Sequence, residues 1–198
     1  MNTAVRLPSK ILFTDDDASV FNALKPQLLK YKIELIKASD LSTALYLFNH
    51  QKFEVAIVEL EFAELSGLAI IQKFRNHTNI ERRSIGIILS SGLQKTIADD
   101  SLVQELGDIE FIEKPINPIK LLSVISRGLE NYFNMLKFEE TKSQALSIWA
   151  QFQDVNKAIE HVLDKQGLTP KSLEFICDIL EEQKDYKTAN SFLDIYLE

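Results

Sequence analysis

The feature that most constrains the fold is an alternation of short apolar runs with longer stretches of helical period over about the first 128 residues. The apolar runs predict buried strands at residues 11–13, 34–38, 55–58, 85–89 and 111–112. The spacing between and after them predicts helices over residues 20–31, 41–48, 68–74, 96–106 and 119–136, with a kink or short break at Pro26. Strict alternation of this kind predicts an α/β fold, a doubly wound parallel sheet with helices on both faces.

Polar residues follow four of the predicted strands. They are Asp15, Asp16, Asp17, Glu59, Ser90, Ser91 and Lys114-Pro115. Each has an ordinary alternative, since acidic runs and serines cap helices, a terminal glutamate is often solvated, and Lys-Pro is often a loop. Because ligands bind at the carboxyl ends of the strands in such a sheet, their convergence there predicts a single functional site.

Two segments resemble the receiver domain of bacterial two-component response regulators. Residues 10–17, KILFTDDD, resemble its first strand and acidic pair, here Asp15 and Asp16. Residues 58–67, VELEFAELSG, resemble the segment that carries the phosphoacceptor and a glycine eight residues later, here Gly67. The resemblance covers residues 1–130 and implies a five-stranded, flavodoxin-like (CheY-like) domain without enzymatic activity.

Three further positions resemble the receiver's signalling residues. Ser90 stands at the position of the switch hydroxyl, Phe111 at that of the aromatic switch residue, and Lys114-Pro115 at that of a Lys-Pro pair, commonly with a cis peptide. The resemblance implies that Ser90 and Phe111 reposition together when the state changes. The alternative is a buried phenylalanine and a capping serine, in a domain that no longer switches.

The phosphoacceptor position is Glu59, where the family has aspartate. The extra methylene displaces the carboxylate by about 1.5 Å, and a misplacement of about 1 Å can cost about a hundredfold in rate. We therefore expect that the domain is not phosphorylated conventionally. Our hypothesis is that Glu59 pairs with Lys114 or Ser90 and holds one signalling state, a state that resembles the phosphorylated one.

A bound Mg²⁺ ion is the competing way to neutralise the acidic pocket. Asp15, Asp16 and the main-chain carbonyl of Glu61 offer the oxygen ligands that this ion prefers. The resemblance implies the same ion, because receivers use it to neutralise the incoming phosphoryl group. No other cofactor is predicted.

Residues 137–198 form a second predicted region, an all-α helical hairpin region that resembles one tetratricopeptide repeat. A helical pattern over residues 139–165 ends at Gly167, and Thr169-Pro170 is typical of a helix start. Such a hairpin does not bury its apolar face alone, which favours protein-protein interaction. Trp149 is a candidate anchor, with ordinary core as the alternative, and Cys177 is interpreted as a buried small hydrophobe.

Composition bears on partners and on location. The chain carries 22 Lys and Arg against 29 Asp and Glu among 198 residues, a formal net charge of -7. Since a surface that binds phosphates should be positive, nucleic acid and membrane are predicted not to be partners. The single cysteine and the lack of a long apolar run favour a cytoplasmic protein.

Together these features predict a non-enzymatic signal-transduction adaptor whose output runs through protein contacts of the helical region. The alternative is a phosphorelay response regulator that accepts phosphate from a histidine kinase, on Glu59 or a neighbouring carboxylate. A small enzyme is disfavoured, because no Gly-rich phosphate loop and no Ser-His-Asp or Cys-His set stands out in the sequence. The resemblance also implies a homodimer through the receiver's fourth and fifth helices.

Overall fold

The computed structural model of the protein describes residues 6–62, 65–92 and 106–197. The chain forms two compact units, Met1–Leu136 and Lys137–Glu198. The first unit contains a five-stranded sheet of β1 (Lys10–Thr14), β2 (Glu34–Ala38), β3 (Val55–Glu59), β6 (Gly86–Ser91) and β7 (Ile109–Glu113). The strands are parallel, and their order is β2-β1-β3-β6-β7. The predicted doubly wound α/β fold is confirmed.

Helices cover both faces of this sheet, because successive strand residues point to opposite sides. The helices are α1 (Ala18–Leu29), α2 (Leu41–His50), α3 (Gly67–Arg75), the short α4 (Ile80–Arg83) and α5 (Pro118–Phe152). Leu12 of β1 belongs to a core formed with residues of α2 and α3. Its neighbours Ile11 and Phe13 belong to a second core, formed with α1 and the first part of α5.

Several local predictions need correction. Pro26 lies inside α1 without dividing it, so the expected break is wrong. A two-stranded antiparallel pair, β4 (Glu61–Phe62) and β5 (Leu65–Ser66), was not predicted, since two residues are too few to give a periodic signal. The predicted helix over residues 96–106 falls almost entirely outside the described residues.

The second unit contains the end of α5 and three more helices, α6 (Val155–Gln166), α7 (Pro170–Glu182) and α8 (Tyr186–Leu197). The prediction of a single helix over residues 139–165 is wrong, because α5 ends at Phe152 and a new helix begins at Val155. Gln153 has a φ of 52°, and Asp154 caps α6 by accepting from two backbone N–H groups. The end at Gly167, with a φ of 67°, is confirmed.

The second unit has a core of its own. Ala145, Val162, Ile176 and Leu180 are buried in it, and Trp149 packs against it while partly exposed. Cys177 also packs against this core, and burial raises the pKa of its thiol. Cys177 is thus partly buried in this core, less than predicted, and the role of Trp149 as an anchor stays a prediction. Among the helices of the described residues, none has the length and apolar character that a membrane span requires.

Candidate functional site

The carboxyl ends of β1, β3, β6 and β7 meet at one edge of the sheet, as their parallel register requires. Glu59, the last residue of β3, pairs in register with Ser90 of β6, which pairs with Ile112 of β7. Lys114 follows β7, and its amide donates to the Ser91 carbonyl. The Lys114-Pro115 peptide bond is cis. The edge thus brings the predicted residues together.

The three aspartates after β1 have different environments. Asp15 is fully buried, and its Oδ1 accepts a hydrogen bond of 2.8 Å from the Asp17 amide. Asp17 caps α1 by accepting from the Ser19 amide at 2.7 Å, whereas Asp16 is exposed. The helix-cap alternative is therefore correct for Asp17, whereas Asp15 is a buried residue of the site.

Lys114 joins the carboxylates of two different strands. Its Nζ lies 2.9 Å from Asp15 Oδ2 and donates to Glu59 Oε1. The side chains of Glu59 and Lys114 are only 14% and 19% exposed. Glu59 Oε2 is buried and has no hydrogen-bond partner within the described ranges. The Lys114 ammonium is thus the contact that compensates this pair of carboxylates.

Burial and neighbouring charges shift both members of this pair. Burial raises the pKa of Glu59 to about 7, with Lys114 acting against the rise and Asp15 adding to it. Desolvation acts to lower the pKa of Lys114, but its contacts with Glu59 and Asp15 outweigh it, and the net shift is upward. Lys114 therefore stays charged, while the Glu59 carboxyl is near its titration point at neutral pH.

The side chains of Ser90 and Phe111, the predicted switch residues, form no hydrogen bond with the Glu59 side chain in the part of the chain that the structure describes. The Ser90 hydroxyl is buried and donates to the Val58 carbonyl at 3.4 Å. Phe111 is 38% exposed, so the alternative of a buried phenylalanine is wrong. Of the two partners expected for Glu59, the geometry selects Lys114.

A family model described as the response regulator receiver domain matches residues 11–126, more than half of the chain. The chain belongs to this receiver family. A solved CheY-like receiver from Methanospirillum hungatei superposes with a TM-score of 0.55 at 21% identity, covering 64% of this chain and 97% of that one. At this identity the similarity shows the fold alone. The family match confirms the prediction that the chain is a response regulator of two-component signalling, a class of proteins that is generally non-enzymatic.

Curated relatives of this receiver are longer regulators. The probable transcriptional regulator ycf27 of Guillardia theta is 30% identical over 112 residues, which cover 57% of this chain and 42% of that protein. The regulatory protein VanR of Enterococcus faecium is 24% identical over 188 residues, covering 94% of this chain and 78% of that protein. The chain spans about half the length of several relatives that it matches, from 42% to 60%.

The predicted exclusion of nucleic acid as a partner is wrong. It is contradicted by relatives of this receiver that are named transcriptional regulators. The exclusion rested on a net charge of -7, which is an average over the whole chain. Such an average does not report on a local surface or on other parts of a longer regulator, so it cannot exclude a partner class.

The receiver's acidic pocket has the donor chemistry of a divalent cation site. One carboxylate oxygen each from Asp15, Asp16 and Glu59 lies within 4.8 Å of the others. Hard oxygen donors of this kind fit Mg²⁺, and the unpartnered Glu59 Oε2 is consistent with that fit. Glu61, the third predicted ligand, lies exposed in β4, and its carbonyl contribution stays a prediction.

Gly67, the first residue of α3, lies against the backbone of Glu59. Its amide donates to the Leu60 carbonyl at 2.7 Å. A Cβ atom at this position would lie 2.1 Å from the Glu59 carbonyl oxygen. Only glycine permits this approach without a shift of the backbone that carries Glu59.

Sequence reasoning missed Lys37 of β2. Its Nζ donates to the Asp16 carbonyl at 3.3 Å, which places a second ammonium beside the acidic turn. Its position depends on the strand order, because Lys37 pairs in register with Phe13 of β1 and so lies near the end of the neighbouring strand.

Proposed function

We propose that this receiver is a non-enzymatic signalling module that is not phosphorylated conventionally, because Glu59 is engaged by Lys114 at the phosphoacceptor position. The observation that carries the proposal is the contact of the Lys114 ammonium with both Asp15 and Glu59. This contact places a permanent carboxyl group, bound to lysine, in the pocket where the receiver family carries a transient phosphoryl group.

The geometry of Glu59 opposes phosphoryl transfer. In-line attack needs a carboxylate oxygen that is free and correctly placed, but Oε1 is held by Lys114 and Oε2 is buried. The extra methylene compared with aspartate adds about 1.5 Å of reach. A misplacement of about 1 Å can cost about a hundredfold in rate.

The arrangement of Ser90 and Phe111 bears on which state is fixed. The Ser90 hydroxyl donates to the Val58 carbonyl, and the ring of Phe111 is partly exposed. Among the described residues, neither side chain forms a hydrogen bond with the Glu59 carboxyl group. This supports a fixed state in which Lys114 pairs with Glu59 without engaging the switch residues, in place of the phosphorylated-like state expected from the sequence.

A divalent cation remains compatible with the pocket. Asp15, Asp16 and Glu59 would hold it, and it would neutralise the negative charge of these carboxylates. Lys114 offers an ammonium at the same place, and the Asp15 carboxylate is fixed by the Asp17 amide.

The output is proposed to run through residues 137–198 as a tetratricopeptide-like interaction region. This unit packs α6, α7 and α8 around a core of its own. It nevertheless leaves large apolar side chains exposed: Leu146, Phe152, Tyr186, Leu193, Ile195 and Tyr196. Contiguous exposed apolar side chains often mark protein-binding surfaces, and we propose that these residues form one.

The second candidate function is a phosphorelay response regulator that takes phosphate from a histidine kinase. The observation that favours it is the chemistry of the pocket, with clustered carboxylates and a lysine at one edge. On this reading Glu59 itself, or a neighbouring carboxylate, accepts the phosphoryl group slowly.

Acetyl phosphate with Mg²⁺ separates the two functions. The full chain, Glu59→Asp and Glu59→Gln are incubated under the same conditions, and intact mass and peptide mass are measured. We expect labelling only for Glu59→Asp, with Glu59→Gln as the matched control that keeps the side-chain length. A phosphoryl group on the Glu59 peptide of the unmodified sequence would refute the adaptor and establish the phosphorelay function.

A further inference from the structure

A row of carboxylates on α7 borders α8 in the second unit. Glu174 and Glu181 lie three residues before and four residues after Cys177, so they share its side of the helix. The Cys177 thiol lies 3.9 Å from the Ala189 carbonyl of α8. Burial raises the pKa of this thiol, and the negative charges of Glu181 and Asp178 add to the rise. The acidic side of α7 is therefore next to the contact between the two helices.

An apolar row on α8 borders the same contact. Ala189 is buried, and Tyr186 and Leu193 lie three residues before and four residues after it, on its side of the helix. Tyr196 follows Leu193 by three residues and extends the row. Although Ala189 is covered, Tyr186, Leu193 and Tyr196 are 57%, 41% and 40% exposed. This spacing makes them a continuous apolar stripe on one side of α8, open to a partner.

The charge of α7 restricts which partner fits beside that stripe. The helix carries four acidic residues, all exposed, and a single lysine. In the described part of the second unit, Glu174, Asp178 and Glu181 form no salt bridge. Residues 137–198 as a whole contain seven lysines and no arginine against twelve acidic residues. Because interfaces pair opposite potentials, such a surface attracts a basic partner and repels an acidic one, including a second copy of this unit.

We propose that the second unit binds a basic amphipathic helix of a partner protein. The inference rests on the proposed function, since it names the partner class of the interaction region. The bound helix places its apolar residues on the α8 stripe and its lysines or arginines along α7, as in the helix-in-groove mode of recognition. We call this surface the α7–α8 face, and it consists of Glu174, Asp178, Glu181, Tyr186, Leu193 and Tyr196.

Two synthetic peptides test the charge preference of the α7–α8 face. Both have leucines spaced by three and four residues, so that they form an amphipathic helix, with lysine between the leucines in one and glutamate in the other. Each carries a fluorophore, and anisotropy measures its binding to the full chain. The lysine peptide should bind at least about tenfold more tightly than the glutamate peptide. Added salt should narrow this difference, because it screens exposed charges.

Charge variants locate the binding on α7. Glu174→Gln combined with Glu181→Gln should weaken the lysine peptide by about fivefold, the effect of losing two exposed ion pairs. Glu160→Gln combined with Asp164→Asn is the matched control, because it removes the same charge from exposed positions of α6. That control should stay within about twofold of the unmodified chain. Equal weakening by the two double variants would overturn the proposal, since only the net charge of the chain would then matter.

Apolar variants locate the binding on α8. Leu193→Ser should weaken the lysine peptide by about tenfold, because it removes a central apolar contact. Ile195→Ser is the matched control, since Ile195 is 62% exposed but lies two residues away and so on another side of α8. Circular dichroism checks that both variants keep their helices. Equal losses in the two variants would overturn the assignment to the α7–α8 face.

The remaining outcomes separate this inference from the proposed function. Equal affinity for the two peptides, with loss in Leu193→Ser, would overturn the basic partner and leave a protein-binding region in place. A dimer of the full chain in sedimentation that Leu193→Ser converts to a monomer would also overturn it, because a second copy would then occupy the face. Phosphorylation of Glu59 would refute the adaptor function without changing the peptide affinities, so the failures are distinguishable.

Discussion

Lys114 reaches across β6 to contact Glu59, although the two residues lie at the ends of strands that are not neighbours in the sheet. Glu59 ends β3 and Lys114 follows β7, with Ser90 of β6 between them in register. The contact therefore depends on the relative placement of three strands. It also depends on Asp15, a fully buried residue that follows β1 and that the same ammonium contacts.

Removal of the lysine should cost much more stability than removal of the glutamate charge. Lys114→Met leaves Asp15 and Glu59 without their cation and should lower the free energy of unfolding of the receiver by about 3 kcal/mol. Glu59→Gln leaves Lys114 paired with Asp15 and should change it by less than about 1 kcal/mol. Hydrogen exchange of the β3 and β6 amides measures both. Equal losses for the two variants would show that the lysine compensates only one carboxylate.

The elevated pKa of Glu59 predicts a pH dependence with a definite sign. Its pKa is about 7 in the folded chain against an ordinary value of 4.5, so the folded state binds the proton more tightly. This contribution to stability is fully present below the ordinary value and is lost as the pH rises through about 7. The free energy of unfolding should therefore increase as the pH falls from about 8 to about 5.5.

Comparison with Glu59→Gln isolates that contribution, because every other titrating group is shared by the two chains. Denaturation is measured in metal-free buffer over the same pH range. The helix-capping carboxylates Asp17, Asp40 and Asp185 have pKa values lowered by their hydrogen bonds and titrate below this range. The slope of the free energy of unfolding against pH should be smaller in Glu59→Gln than in the unmodified chain. Parallel curves for the two chains would contradict an elevated Glu59 pKa.

The sheet was predictable because its strands are continuous apolar runs, as buried parallel strands require. Val55 to Val58 are all fully buried, which explains the unbroken run in the sequence. The strand-end residues were predictable for the same reason, since parallel strands bring their carboxyl ends to one edge. Thus Asp15, Glu59 and Lys114 could be placed together before any contact was known.

What could not be predicted depends on single dihedral angles and on long-range choices. The break after Phe152 needs the φ of 52° at Gln153, a residue that gives no stop signal in the sequence. The choice of Lys114 over Ser90 as the partner of Glu59 depends on side-chain direction, which periodicity does not encode. The contribution of Lys37 needed the strand order, because β2 is adjacent to β1 only in the folded sheet.

Gly67 should be intolerant of even one added carbon. Gly67→Ala places a Cβ atom 2.1 Å from the Glu59 carbonyl oxygen, so the backbone must move. We expect a loss of about 3 kcal/mol in the free energy of unfolding of the receiver, the upper end for an overpacked site. Gly92→Ala is the matched control, because its added Cβ meets nothing within 4 Å. A loss of similar size in both variants would contradict the close approach to Glu59 as the cause.

The start of α7 gives a test confined to the second unit. The Thr169 Oγ1 accepts from the Ser172 amide at 3.2 Å, and Ser172 Oγ accepts in return from the Thr169 amide at 2.7 Å. Thr169→Ala should therefore cost about 1 kcal/mol, whereas Thr169→Ser should retain most of the cap. The one tryptophan of the chain, Trp149, packs against the core of this unit, so its fluorescence during urea unfolding measures the change. Ser143→Ala, at an exposed position in α5, should raise stability by a few tenths of a kcal/mol through helix propensity, on the order of 0.3. Equal unfolding midpoints for Thr169→Ala and Thr169→Ser would mean that the side-chain hydroxyl does not stabilise this helix start.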